Sequence, residues 1–132
     1  MDEIKICFIC PYFGKLPDHF QLWLNSCKIN HKIDWYLITD DTTEYSYPSN
    51  VHVEYMSFIG FCRLLQSKFS FNLNIKSPYK LCDFKPTYGY VFEEYLKGYD
   101  FWGYCDISDS ILGNIEKFLD KTSIFNYDKI LF

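Results

Sequence analysis

Tyr99-Asp100-Phe101-Trp102-Gly103-Tyr104-Cys105-Asp106 lies late in a chain of 132 residues and reads as a buried strand running straight into a carboxylate. Gly98 precedes it, placed as a C′ glycine closing a helix over Thr87 to Lys97, whose Tyr88, Val91, Phe92 and Tyr95 share one face. Working outward, Ile33 to Thr39 and Val51 to Tyr55 read as a second and a third strand. Ile4 to Cys10 is the first, stopped by Pro11 and the Phe13-Gly14 turn. Phe20, Trp23, Leu24 and Cys27 recur at helical spacing behind a capping Asp18. Phe58, Phe61, Cys62, Leu65 and Phe69 mark another helix over Ser57 to Phe69, and Pro78 to Pro86 reads as extended chain between prolines. Strands alternating with helices specify an α/β fold, a mainly parallel sheet flanked by helices. Ligands in such sheets bind at the carboxyl ends of the strands. Here those ends are Pro11-Tyr12-Phe13-Gly14, Asp40-Asp41 and Asp106-Ile107-Ser108-Asp109.

A chain of this length supports one domain, residues 1–132, with a core that needs no metal or disulfide staple. Its 48% hydrophobic content excludes a disordered chain. A net charge of −4 and a pI near 5.3 speak against a dedicated nucleic-acid binder. No apolar run approaches the roughly 20 residues that span a bilayer. The acidic start, Met1-Asp2-Glu3, is unlike a signal peptide, so a cytoplasmic setting with six reduced cysteines is expected. Cys7 and Cys10 form a C-x-x-C, but on a strand residues three apart face opposite ways. No second pair or His-x-x-x-His completes a zinc site, so these are expected to be buried structural thiols.

Asp106 and Asp109 admit two readings. A carboxylate pair at a strand end can hold a hard divalent ion that clamps a diphosphate; equally, Asp106 can cap a turn while Asp109 is solvated. An aspartyl-nucleophile phosphotransferase also puts two Asp after a strand, but normally after the first strand of its domain.

Several segments together resemble a family of GT-A glycosyltransferases related to bacterial capsular and surface polysaccharide synthesis. They are Lys5-Ile-Cys-Phe-Ile-Cys-Pro-Tyr-Phe-Gly14, Trp35-Tyr-Leu-Ile-Thr-Asp-Asp41, Ser77-Pro-Tyr-Lys-Leu-Cys-Asp-Phe-Lys-Pro-Thr-Tyr-Gly89, Tyr99-Asp-Phe-Trp-Gly-Tyr-Cys-Asp106 and Gly113-Asn-Ile-Glu-Lys-Phe118. The resemblance implies a GT-A, Rossmann-like fold that binds a UDP- or GDP-sugar with Mn²⁺ or Mg²⁺ and transfers the sugar to a saccharide or lipid-linked acceptor. It further implies a cytoplasmic protein, peripheral at the inner face of the membrane where the acceptor is lipid-linked. Pro11, Tyr12, Phe13, Asp40 and Asp41 would contact the nucleoside, although Tyr12 and Phe13 suit core packing equally well. Lys80 to Lys85 would lie along the diphosphate and sugar, with Asp83 and Lys85 turned inward; the alternative for the lysines is solvated surface. Asp106 would meet metal and ribose, and Asp109 the metal.

Two departures from that family stand out. Its metal motif is usually Asp-x-Asp, whereas Ser108 holds the second position here and Asp109 comes one place late: either the turn absorbs an extra residue and Asp109 reaches the ion, or Ser108, a far poorer ligand, is the second. The chain also ends at Phe132, in a Tyr127-Asp-Lys-Ile-Leu-Phe run resembling a core strand, where relatives continue into the acceptor half. The expectation is therefore a C-terminally truncated donor-binding half. The alternative is a non-catalytic remnant, or a half-enzyme that needs a partner chain or self-associates.

Overall fold

A computed structural model of the chain describes residues 3–108 and 113–119. The order of elements is β1 (Ile6–Tyr12), α1 (Phe20–Ile29), β2 (Ile33–Thr39), β3 (Val51–Tyr55), α2 (Phe58–Ser67), a 3-10 segment (Pro78–Thr87), α3 (Tyr88–Val91), β4 (Phe101–Tyr104) and a 3-10 turn (Ile115–Phe118). The strands form one sheet in the order β3-β2-β1-β4, and every pairing is parallel. Asp109 and the expected strand from Tyr127 to Phe132 lie outside the described residues.

Both faces of the sheet are covered, which is why β1 and β2 are apolar almost throughout. On one face Ile6, Cys10, Trp35 and Leu37 meet Phe20, Trp23, Leu24 and Cys27 of α1. On the other, Cys7, Ile9 and Ile38 meet Phe61 and Leu65 of α2, together with Tyr88, Val91 and Phe92. Complete burial of a side chain such as Phe20 contributes about 2–3 kcal/mol. Cys7 and Cys10 fall on opposite faces, as strand geometry requires, and none of the six cysteines is in a disulfide.

Two buried asparagines hold the far end of α1. The Asn50 amide donates to the carbonyls of Cys27, Asn30 and Ile33 at 2.9, 3.2 and 2.8 Å. Asn30 donates to the Gly113 carbonyl at 2.8 Å and accepts from the Ile115 N–H at 2.8 Å, fastening that segment to the helix end.

The structure departs from the sequence reading at five places. β1 continues through Pro11 to Tyr12 beside β2, whereas its pairing with β4 ends at Ile9–Tyr104. Proline has no N–H to give a ladder. Asp18 is not the cap of α1: His19 holds that position, a backbone bond from Phe20 N–H to Pro17 O closes the entry, and Asp18 pairs with Lys15. Pro78 to Pro86 is coiled as a 3-10 segment, with Pro78 in the first turn, where a missing N–H costs nothing. Only Tyr88–Val91 of the expected helix is α-helical, and turns continue to Gly98, which has the expected positive φ of 88°. Finally, β4 is half exposed, since among the described residues its one neighbour is β1. Among those residues no helix is long and apolar enough to cross a membrane.

Candidate functional site

The chain builds β2 and β3 on one side of β1 and then crosses to place β4 on the other. The point of reversal, between the carboxyl ends of β1 and β4, is where adjoining loops separate and leave a crevice. A cleft of about 270 Å³ opens there. One wall is Ile9, Pro11, Tyr12 and Phe13, and a second is Tyr104, Cys105, Asp106, Ile107 and Ser108. The third comes from the 3-10 segment and the start of α3: Pro78, Tyr79, Leu81, Cys82, Lys85 and Tyr88.

Lys85 and Asp106 supply the charge. The Lys85 Nζ donates to Asp106 Oδ1 at 2.6 Å, and its side chain is 19% exposed against 61% for Asp106. The same ammonium lies 5.4 Å from the centre of the Tyr104 ring. Burial works to lower the Lys85 pKa, but the hydrogen bond and charge of Asp106 outweigh it and hold the amine above its ordinary value. The lysine therefore stays protonated across the physiological range.

Of the residues expected at the site, Pro11, Tyr12, Phe13, Lys85 and Asp106 come together around this cleft. The Phe13 ring also packs on Phe58 and Phe61, at 5.6 and 5.2 Å. Asp40 and Asp41 are engaged outside the lining. Asp40 accepts from the Gly14 N–H at 2.8 Å, where Gly14 takes a φ of 95°. Asp41 accepts from the Leu16 N–H at 2.8 Å and from the Thr43 N–H and hydroxyl at 2.9 and 2.6 Å. These bonds, led by the Thr43 hydroxyl, hold the Asp41 pKa below the usual carboxylate value. Both carboxylates shape the loop after β1 instead of lining the cleft. Asp83 is paired with Lys80 at 2.7 Å and is also outside the lining. Ser108 is present, its carbonyl 3.0 Å from His19 Nε2, while Asp109 is outside the described residues.

Leu81 and Cys82 of the Lys80 to Lys85 block also line the cleft, and Tyr79, Tyr88 and Tyr104 join them without a signal in the sequence that marks them for a site. Coiling of the Pro78–Thr87 segment is what sets Tyr79, Leu81 and Cys82 along the cleft, and its two prolines suit extended chain as well. A divalent ion finds a poor seat among the described residues. Asp106 is the one carboxylate in the lining, and its Oδ1 is already bonded to an ammonium. No group of three or more His, Cys, Asp or Glu side chains able to hold a metal occurs among those residues.

Comparison with curated proteins gives no match, and comparison with solved structures gives none either. A family model does match, over residues 8–132. It thus runs from Phe8 within β1 through β4 and takes in all three walls of the cleft, and the chain belongs to this family of unknown function, DUF6625.

Proposed function

We propose that the cleft binds the diphosphate-bearing part of a nucleotide sugar, and that the chain works as the donor-binding part of a glycosyltransferase. The observation that carries this reading is the Lys85–Asp106 pair in an aromatic-walled cleft at the reversal point of an all-parallel sheet. An ammonium there can donate to phosphate oxygens, and a carboxylate can accept from ribose or sugar hydroxyls. Tyr79 is 84% exposed beside the cleft and offers a ring face to a base. The volume lies close to the lower end of small-molecule sites and suits a diphosphate with one ring better than a whole nucleotide sugar. Transfer to a saccharide or lipid-linked acceptor, and work at the inner face of the membrane, follow from the GT-A resemblance.

A second reading, donor binding without transfer by this chain alone, draws on the lining itself. Among the described residues its one carboxylate is ion-paired and no histidine lines it, so those residues offer no evident base for an acceptor hydroxyl. Calorimetric titration with UDP, GDP and their hexose conjugates, in Mn²⁺, tests the shared premise. Binding of one nucleotide series, weakened at least tenfold in a Lys85→Met/Asp106→Asn double variant, supports it. A folded chain that binds neither series overturns it. Sugar release to water or to simple acceptors then separates the two readings.

A further inference from the structure

The resemblance gives the acidic strand end a divalent ion, but the charged groups around the cleft supply a cation of their own. Lys85 approaches with most of its side chain covered, and its ammonium settles 2.6 Å from the Asp106 carboxylate and over the Tyr104 ring. An ammonium carries three N–H donors, and among the described residues Asp106 is its one hydrogen-bond acceptor. Two donors are thus available to a ligand in the cleft that Lys85 lines.

A divalent ion bound to the same carboxylate would have to displace this ammonium or sit beside it, like charge against like. Nor does the neighbouring position help. Ser108, the described residue at the position where that family usually has its second acid, offers a neutral hydroxyl, and its carbonyl lies within hydrogen-bonding distance of His19; Asp109 is outside the described residues. Asp106 itself is well suited to the task of fixing a lysine, because its bond orients the amine.

We infer that the Lys85 ammonium takes the place the resemblance assigns to a divalent ion, so that the cleft binds a nucleoside diphosphate without metal; this rests on the donor-binding reading above. Binding would then persist in a chelator and weaken as salt rises, because the attraction is between a charged amine and phosphate. Replacing Lys85 should cost more than replacing Asp106. Loss of the carboxylate removes the anchor of the amine, but it also removes a negative charge close to the phosphates.

The test is calorimetric titration of the EDTA-treated chain with UDP and GDP, repeated in Mn²⁺. It is run on wild type, Lys85→Met, Lys85→Arg, Asp106→Asn and, as a control away from the lining, Lys97→Met, whose amine is exposed and paired with Glu94. The expected result is equal wild-type affinity with and without Mn²⁺. Lys85→Met should lose about ten- to a hundredfold, the range for a charge-assisted hydrogen bond. Lys85→Arg should recover most of that loss, Asp106→Asn should lose less than Lys85→Met, and Lys97→Met should match wild type. Binding that appears only in Mn²⁺, with Asp106→Asn abolishing it and Lys85→Met leaving it intact, overturns the inference while the donor-binding reading stands. Absence of binding under both conditions by a chain with a cooperative thermal transition overturns both. Should Lys85→Met fail to fold, the chelator experiment on wild type decides alone.

Discussion

Asn50→Ala probes the most connected polar side chain in the structure. Asn50 is 7% exposed, and its amide nitrogen lies within 2.8–3.2 Å of three carbonyls from α1 and the turn into β2. An amide nitrogen has only two hydrogens, so the bonds to Ile33 and Cys27, at 2.8 and 2.9 Å, are the well-formed pair. Alanine keeps the backbone bond from the Trp35 N–H to the Asn50 carbonyl and deletes only the side-chain set. Two net bonds of about 1 kcal/mol each, plus the cost of a carbonyl left short of a partner, give a loss of about 2–3 kcal/mol. With a urea slope of about 1.5–2 kcal/mol/M, the midpoint should fall by about 1–2 M at unchanged slope. Asn50→Asp is the sharper arm, because it retains the shape and sets a carboxylate against three carbonyl oxygens. It should be worse than alanine. An aspartate variant as stable as wild type, or an alanine variant within about 0.5 kcal/mol of it, would refute the donor role.

Three further outcomes are expected. Gly103→Ala would bring a Cβ to 2.8 Å from the Phe8 ring, which is stacked on buried Trp35; scanning calorimetry should show a loss of about 1–3 kcal/mol, with Gly113→Ala, placed in open space, unchanged. Asp41 has a pKa lowered from 3.8, so its stabilisation is present above that value and disappears as pH falls through the lower native one. Asp41→Asn should therefore flatten the acid limb of a stability–pH profile, and an unaltered limb would count against the loop contacts. Thiolate is the reactive form of cysteine, and burial pushes the Cys7 pKa to about 12 and also raises Cys10 and Cys27. Alkylation at pH 8 followed by mass spectrometry should modify exposed Cys82 first and those three only on unfolding, whereas early modification of Cys10 would contradict its burial.

The strands were the most legible part. β2 and β3 occupy the expected residues because short apolar runs between polar turns leave the register little choice. The apolar face of Tyr88, Val91 and Phe92 was also correctly placed against the core, yet its helix is a single turn followed by irregular turns. Periodicity reports which side is buried over one or two turns and cannot tell a helix from a series of turns with the same spacing. At the site, the rule of strand ends located Pro11, Tyr12, Phe13 and Asp106, and the block around Lys85 came from resemblance. What could not be read was the destination of each carboxylate. Asp40 and Asp41 stand at a strand end just as Asp106 does, but the Gly14 and Leu16 N–H groups lie within reach and claim them. Asn30 and Asn50 carried no signal at all, since their partners are set by how α1 docks on the sheet.

The pairing of β1 with β4 has a consequence for how the protein is made. Asp100 accepts from the Lys5 N–H across 95 residues of chain, and the β1–β4 ladder begins there. At about 5–20 residues per second, a ribosome needs roughly 5–20 s to extend from one partner to the other. During that interval β1 can pair with β2, but its opposite edge has no native neighbour, and an open strand edge invites pairing with another chain. The cleft is thus completed only after β4 has been made, and a nascent-chain binder that shields this edge would raise the yield of folded protein without touching its final stability.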